Sequence, residues 1–264
     1  MKALVMTDLE GVAGVESHES QSYPTGRYHD QAKRLLTQEI NAAVRGLVAE
    51  GIEDILVIDG HGPGGVWFED LDPPAKLWHG RPGPSRPVRN RILQGFDISL
   101  MIGQHAMAGL QFGNQNHTQS SKSIDYYKLN GNLIGEIAQF AYRLGAYGTP
   151  LIFLSGDEAG CREAAELVPG ITTVAVKEGV AVNAAISFTA PVARKMIEAG
   201  VRQAVRRHRE KPIAPLKLKG PFVLEKRFFR TDMADGADNG IDVERVDGQT
   251  IRIRGNDILD VIDR

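Results

Sequence analysis

Asp8 and Glu10 stand two positions apart in the stretch MTDLEGVAGV, directly after an apolar run at 3–6. Two carboxylates at the end of a buried strand repel each other and resist desolvation, so a positive partner is expected between them. Side chains two apart on an extended chain point to the same side, which lets the two acids converge on one point. Related residues recur after later apolar runs. DILVID closes on Asp59 and is followed by Gly60 and His61, ISLMIG runs into GQHAMAG with His105, and PLIFLSGD closes on Ser155, Gly156 and Asp157. Carboxylates with neutral imidazoles are the ligand set of zinc and similar divalent ions. Five or six of them exceed one tetrahedral site and point to two metals sharing a carboxylate. Singly, each has a plainer reading: an acid after a strand serves as a turn former or helix cap, and a histidine there is a satisfied polar residue. Recurrence across strands is what favours a metal. His18, His29, His79 and His208 lack such placement and read as surface residues.

These side chains meet only if the fold gathers them. KALVMT, DILVID, ISLMIG, PLIFLSGD and ITTVAV predict short buried strands, alternating with helices over 28–50, 132–145, 158–167 and 190–209. In the first helix Leu36, Ile40, Ala43, Val44, Leu47 and Val48 recur at three-to-four spacing, and Gly51 ends it. The expected fold is α/β, a mostly parallel central sheet with helices on both faces. Residues 1–211 would form the metal-site domain. From 212 onward PFVLEKRFF, GIDVERV and TIRIRG predict a smaller β-rich C-terminal region, an appendage or part of the same domain. Ligands of an open parallel sheet bind beyond the carboxyl ends of its strands, where the acids and histidines above all fall.

Composition narrows the class. A hydrophobic content of 42% and a charged content of 24% are those of an ordinary globular protein. A net charge of −2 gives no reason to expect nucleic acid or an anionic membrane as partner. No run approaches the roughly 18 apolar residues of a membrane span, the first apolar run is too short for a signal peptide, and a single Cys161 excludes an internal disulfide. A cytoplasmic location is expected. GHGPGG at 60–65 matches the letters of a dinucleotide fingerprint, but VWFEDLDPP follows it where a helix is required. Glycines that let backbone pack close to a metal site explain it better. No G-x-S-x-G elbow occurs. Cys161 reads as a packing residue, and RQAVRRHREK as a solvated helix face.

The motifs DLEGVAG (8–14), DGHG (59–62), GQHAMAG (103–109), NHT (116–118), GNLIGEIA (131–138) and GDEA (156–159) together resemble one family. It is that of the zinc-dependent D-aminopeptidases that assemble into self-compartmentalising rings. The resemblance extends over most of the chain and is weak beyond 212. It implies Asp8, Glu10, His61, His105 and Glu136 as metal ligands, with Asp8 bridging two zinc ions, and His117 as the catalytic residue, nucleophile or base. Glu136 and His117 come from the resemblance alone; in its polar loop His117 otherwise reads as a surface histidine. The resemblance further implies hydrolysis of short peptides or amino-acid amides, D-amino-acid-containing ones among them, and a homo-oligomer of the ring-type decamer kind. The chain departs from the family at Asn116, where a small hydroxyl residue is usual. The residues themselves leave open another dimetal hydrolase, a phosphatase or esterase, and a non-enzymatic assembly protein that keeps a structural metal site.

Overall fold

The computed structural model describes residues 1–264. Its first half runs β1 (Lys2–Thr7), α1 (His29–Ala49), β2 (Asp54–Asp59), β3 (Lys76–Trp78), α2 (Arg86–Leu93), β4 (Ile98–Gln104), β5 (Ile124–Leu129) and β6 (Asn132–Ile134). Then come α3 (Glu136–Ala146), β7 (Leu151–Asp157), α4 (Glu158–Leu167), β8 (Thr172–Ala181), β9 (Ala184–Ser187) and α5 (Ala190–Glu210). The last part holds β10 (Phe222–Phe228), α6 (Thr231–Ala237), β11 (Val243–Arg245), β12 (Thr250–Gly255) and α7 (Ile258–Val261).

Seven strands form the main sheet in the order β3-β2-β1-β4-β7-β8-β9, all parallel except the edge strand β9. Period-two alternation divides their apolar residues between two cores. Ala3 and Val5 of β1, Ile55 and Val57 of β2 and Leu100 and Ile102 of β4 face α1 and α5, where Leu36, Ile40, Leu47, Ile197 and Val201 are fully buried. Leu4, Ile58 and Met101 face the other way, against Ile137, Phe140 and Leu144 of α3 and Cys161 and Ala164 of α4. Truncating one of the buried leucines or isoleucines to alanine costs about 2–5 kcal/mol. Helices α1 and α5 touch at Gly46, where a Cβ would lie 2.8 Å from the carbonyl oxygen of Glu198.

The chain leaves β1 for β2 and β3 on one side, then returns to place β4 on the other side of β1. The carboxyl ends of β1 and β4 therefore flank the crevice where such sheets bind ligands. The expected α/β architecture is the one found.

A second, antiparallel sheet has the order β11-β12-β10-β5-β6. The C-terminal strands are thus joined by a hairpin from the middle of the chain. Residues 132–134, expected to begin a helix, form strand β6, and the helix starts at Glu136. The buried face of this sheet (Ile124, Leu129, Phe222, Leu224, Ile251, Ile253) packs on Ala138 of α3 and Val261 of α7. No helix is long and apolar enough to cross a membrane.

Candidate metal centre

Asp8 and Glu10 follow β1 on a segment locked to the end of β4: the Asp8 N–H donates to Ile102 O (2.9 Å) and the Gly11 N–H to Gly103 O (2.8 Å). A Cβ on Gly103, whose φ is +73°, would overlap the Asp8 carbonyl, so only glycine allows this approach. After β2, Asp59 accepts from the Gly65 N–H (2.8 Å) and the Val66 N–H (3.3 Å) and fixes the loop that carries His61. Gly60 in the same loop has no room for a Cβ, which would lie 2.6 Å from Met6 Sδ. No α-helix follows, so GHGPGG is a close-packing loop. His105 follows β4, and Glu136 opens α3, its Oε1 accepting from the Gln119 N–H at 2.7 Å.

The five side chains converge. Asp8 lies between two histidines, Oδ1 at 3.2 Å from His61 Nδ1 and Oδ2 at 3.1 Å from His105 Nε2. His61 Nδ1 is also 3.0 Å from Glu10 Oε2, and His105 Nε2 is 3.6 Å from Glu136 Oε1. His61 donates its other nitrogen, Nε2, to Ser22 O (2.9 Å), and His105 donates Nδ1 to Ala106 O (2.8 Å). These outer hydrogen bonds fix each ring so that its lone pair faces the carboxylates, as in metal sites with oriented histidines. Gln104 Nε2 donates to Asp8 Oδ2 at 3.3 Å.

The donor set fits a cation. Glu10 Oε2 and His105 Nε2 are buried and make no hydrogen bond, although His61 Nδ1 and Asp8 Oδ2 respectively lie within 3.1 Å of them. Buried polar atoms are nearly always satisfied, and close but misaligned lone pairs are what co-ligands of one ion present to each other. Asp8 and Glu10 with His105, and Glu136 with His105 and His117, form two groups compact enough to hold an ion. Without an ion, protons take its place. Burial works against charge on His61, yet Glu10 and Asp8 hold its pKa well above the usual imidazole value. Burial likewise opposes charge on His105, and Asp8 and Glu136 raise it. Asp8 is correspondingly held well below the usual carboxylate range by His105 and His61, against the upward push of burial.

His117 lies beside this group. Its ring stacks on that of His105 (centroids 4.0 Å apart, planes at 16°), its Nδ1 donates to Gln115 O (2.9 Å), and its Nε2 is 3.8 Å from Glu136 Oε1. Asp8, Glu10, His61, His117 and Glu136 line a polar cavity of about 510 Å³, together with Tyr23, Arg81, Lys122 and Arg143. Asn116 turns away, its Nδ2 donating to Leu110 O (2.7 Å).

Of the four histidines expected at the surface, His29 is buried and His18 is largely covered beside the site. His18 stacks on Tyr23 and lies 4.0 Å from Glu10 Oε1, with burial lowering its pKa to about 4. His29 is buried with Nδ1 on Gln21 O (2.8 Å). The loop 8–29 folds back over the site, which no local pattern indicates. Asp157 is structural: it caps α4 through the Gly160 N–H (2.8 Å) and holds the Asn114 N–H (3.1 Å). Cys161 is buried, and burial pushes its thiol up to about 12, consistent with packing. Arg202, Arg206 and Arg209 of the basic helix pair with Glu50.

Sequence reading missed Lys177. It is fully buried in β8, and its Nζ donates to Glu10 O, Val15 O and Asn114 Oδ1 (2.7 Å to the last). It thereby ties the loop of Asp8 and Glu10 to the loop of His117. The one sequence signal was a lone lysine continuing the apolar run ITTVAV.

The family model described as Peptidase_M55, D-aminopeptidase, matches residues 1–264. A D-aminopeptidase of Bacillus subtilis (strain 168) is 27% identical over 218 residues, covering 81% of this chain and 78% of its own. Among solved structures, the Zn-dependent D-aminopeptidase DppA from Bacillus subtilis, a self-compartmentalizing protease, superposes with a TM-score of 0.88 at 24% identity, over 100% of this chain and 94% of that one.

Proposed function

The chain belongs to the Peptidase_M55 family of D-aminopeptidases, and on that premise we propose that it removes the N-terminal residue of short peptides and amino-acid amides, D-residues included, at a centre for two zinc ions. As a family member it is a hydrolase acting on peptide bonds. The observation that carries the dizinc reading is the position of Asp8, whose two oxygens face different histidines. Asp8 would bridge the ions, with Glu10 and His61 completing one ligand group and His105 and Glu136 the other.

When bound, zinc supplies Lewis acidity for the scissile carbonyl and the attacking water. The remaining work falls to side chains. In the neutral ring, the Nδ1–H hydrogen-bonded to Gln115 O leaves the Nε2 of His117 as the atom with a lone pair. That atom can accept a proton and pass it to the departing amine, or attack directly. The substrate's amino group would enter at this end of the cavity as a neutral amine, because the charges of Asp8, Glu10 and Glu136 are offset by the ions they hold. The chain would act as a homo-oligomer, with a ring-type decamer as the form the family suggests. Val180, Val182, Ile186 and Phe188 are 48–65% exposed on the β8–β9 hairpin and the residue after it, an apolar surface of the kind that interfaces cover.

One observation favours a second reading, phosphoester hydrolysis: Arg81 and Lys122 line the same cavity. A screen of D- and L-amino-acid amides, dipeptides and a chromogenic phosphate, with and without zinc, tests both. Zinc-dependent release of N-terminal residues is expected. Full peptidase activity in metal-free protein, or cleavage of the phosphate alone, would overturn the dizinc peptidase.

A further inference from the structure

Three cations border the cavity over the donor groups: Arg81, Lys122 and Arg143. Two are engaged. Arg143 pairs with Asp263, and Lys122 Nζ lies 3.6 Å from the centre of the Tyr23 ring. Arg81 hydrogen-bonds only to backbone carbonyls, its Nη2 to Asp59 O (2.9 Å), His61 O (3.2 Å) and Gly60 O (3.4 Å), and its Nη1 to Gly80 O (3.1 Å). Carbonyl dipoles orient a guanidinium without neutralising it. Of the five N–H donors of an arginine, the Nε–H and one Nη1–H stay uncommitted, on a group held in place before any ligand arrives.

We propose that Arg81 anchors the carboxylate of the substrate, so that short peptides with a free C-terminal carboxylate are preferred over amino-acid amides. The proposal rests on the peptidase reading above and names its substrate class. The cavity then addresses both ends of a short peptide, its amino group at the donor groups and its carboxylate at Arg81. Arg81 grips the backbone of His61, whose imidazole belongs to the donor group, so the anchor sits within one residue of the centre. An amide lacks the anionic group and leaves the guanidinium without a partner, which is how a charged site discriminates.

The test compares a dipeptide with the matching amino-acid amide, using zinc-loaded wild type, Arg81→Met and Arg81→Lys. In Arg81→Met the dipeptide-to-amide ratio of kcat/KM is expected to fall about 10- to 100-fold, carried by the dipeptide KM, with part of it restored in Arg81→Lys. An equal loss on both substrates would mean that Arg81 only braces the 59–61 backbone, and would overturn the proposal, as would an unchanged ratio. Inorganic phosphate serves as a competing probe: relief of its inhibition in Arg81→Met, with the dipeptide KM unmoved, would make this a phosphate site and refute the carboxylate anchor. A wild type inert on both substrates would sink the peptidase reading, and the proposal with it.

Discussion

Asp8 Oδ2 and His105 Nε2 lie 3.1 Å apart, both deep below the surface, and no hydrogen bond joins them. Glu10 Oε2 and His61 Nδ1 repeat the relationship at 3.0 Å. Asp8 alone touches both histidines, so Asp8→Ala dismantles both halves at once. Zinc per chain is expected to fall below one, and kcat/KM by about a thousandfold or more. Elemental analysis beside a peptidase assay checks this; a variant that keeps two ions would contradict the bridging role.

His117 takes no part in that shared contact. His117→Ala should retain its zinc while kcat drops about 10²- to 10⁴-fold, the range of a lost proton-transfer group. Loss of metal in this variant would place His117 among the ligands instead.

Lys177→Met strands three acceptors, Glu10 O, Val15 O and Asn114 Oδ1, in a dry interior. Removing one member of a buried charged network costs about 2–4 kcal/mol. Urea denaturation should show the midpoint lowered accordingly, and an unmoved midpoint would show the ammonium to be dispensable.

Burial raises the Glu39 carboxyl to about 7 from an ordinary 4.5, opposed in part by its hydrogen bond from the Ala13 N–H at 3.0 Å. Between these values the folded chain keeps a proton that the unfolded chain has released. This contribution to stability is therefore full below pH 4.5, is lost as pH rises to about 7, and is constant above. Glu39→Gln removes it. Relative to wild type the variant should gain about 1–3 kcal/mol between pH 5 and pH 8, read from denaturation midpoints at both values. An equal difference at the two pH values would show that Glu39 titrates normally.

Ile186 and Phe188 are 65% and 50% exposed on edge strand β9 and in the residue after it. A charge there should oppose burial against a second copy of the chain. Sedimentation of Ile186→Asp is expected to give a smaller species than wild type, and an unchanged assembly would move the interface elsewhere.

Four of the five proposed ligands were legible from position, because Asp8, Glu10, His61 and His105 each follow a short continuous apolar run of the kind that reads as a buried strand. Glu136 was not. It follows the antiparallel hairpin β5–β6, whose partner β10 lies about a hundred residues away in sequence, and pairing at that range leaves no local periodicity. The segment 72–87 is rich in proline and glycine and reads as an excursion between strands, yet it holds β3 and the start of α2. Both are short and only partly buried, so their patterns are weak. His18 and His29 are hidden by a folded-back loop, and Lys177 is hidden by its strand.

The three-way tie at Lys177 means that the loop bearing His117 is not a detachable module. An engineer who transplants residues 110–118 from a relative to retune selectivity would have to supply an amide at position 114, or a new partner for the ammonium. A donor loop lacking one would slacken the backbone under Glu10, and a change intended for substrate choice would surface as weakened metal retention.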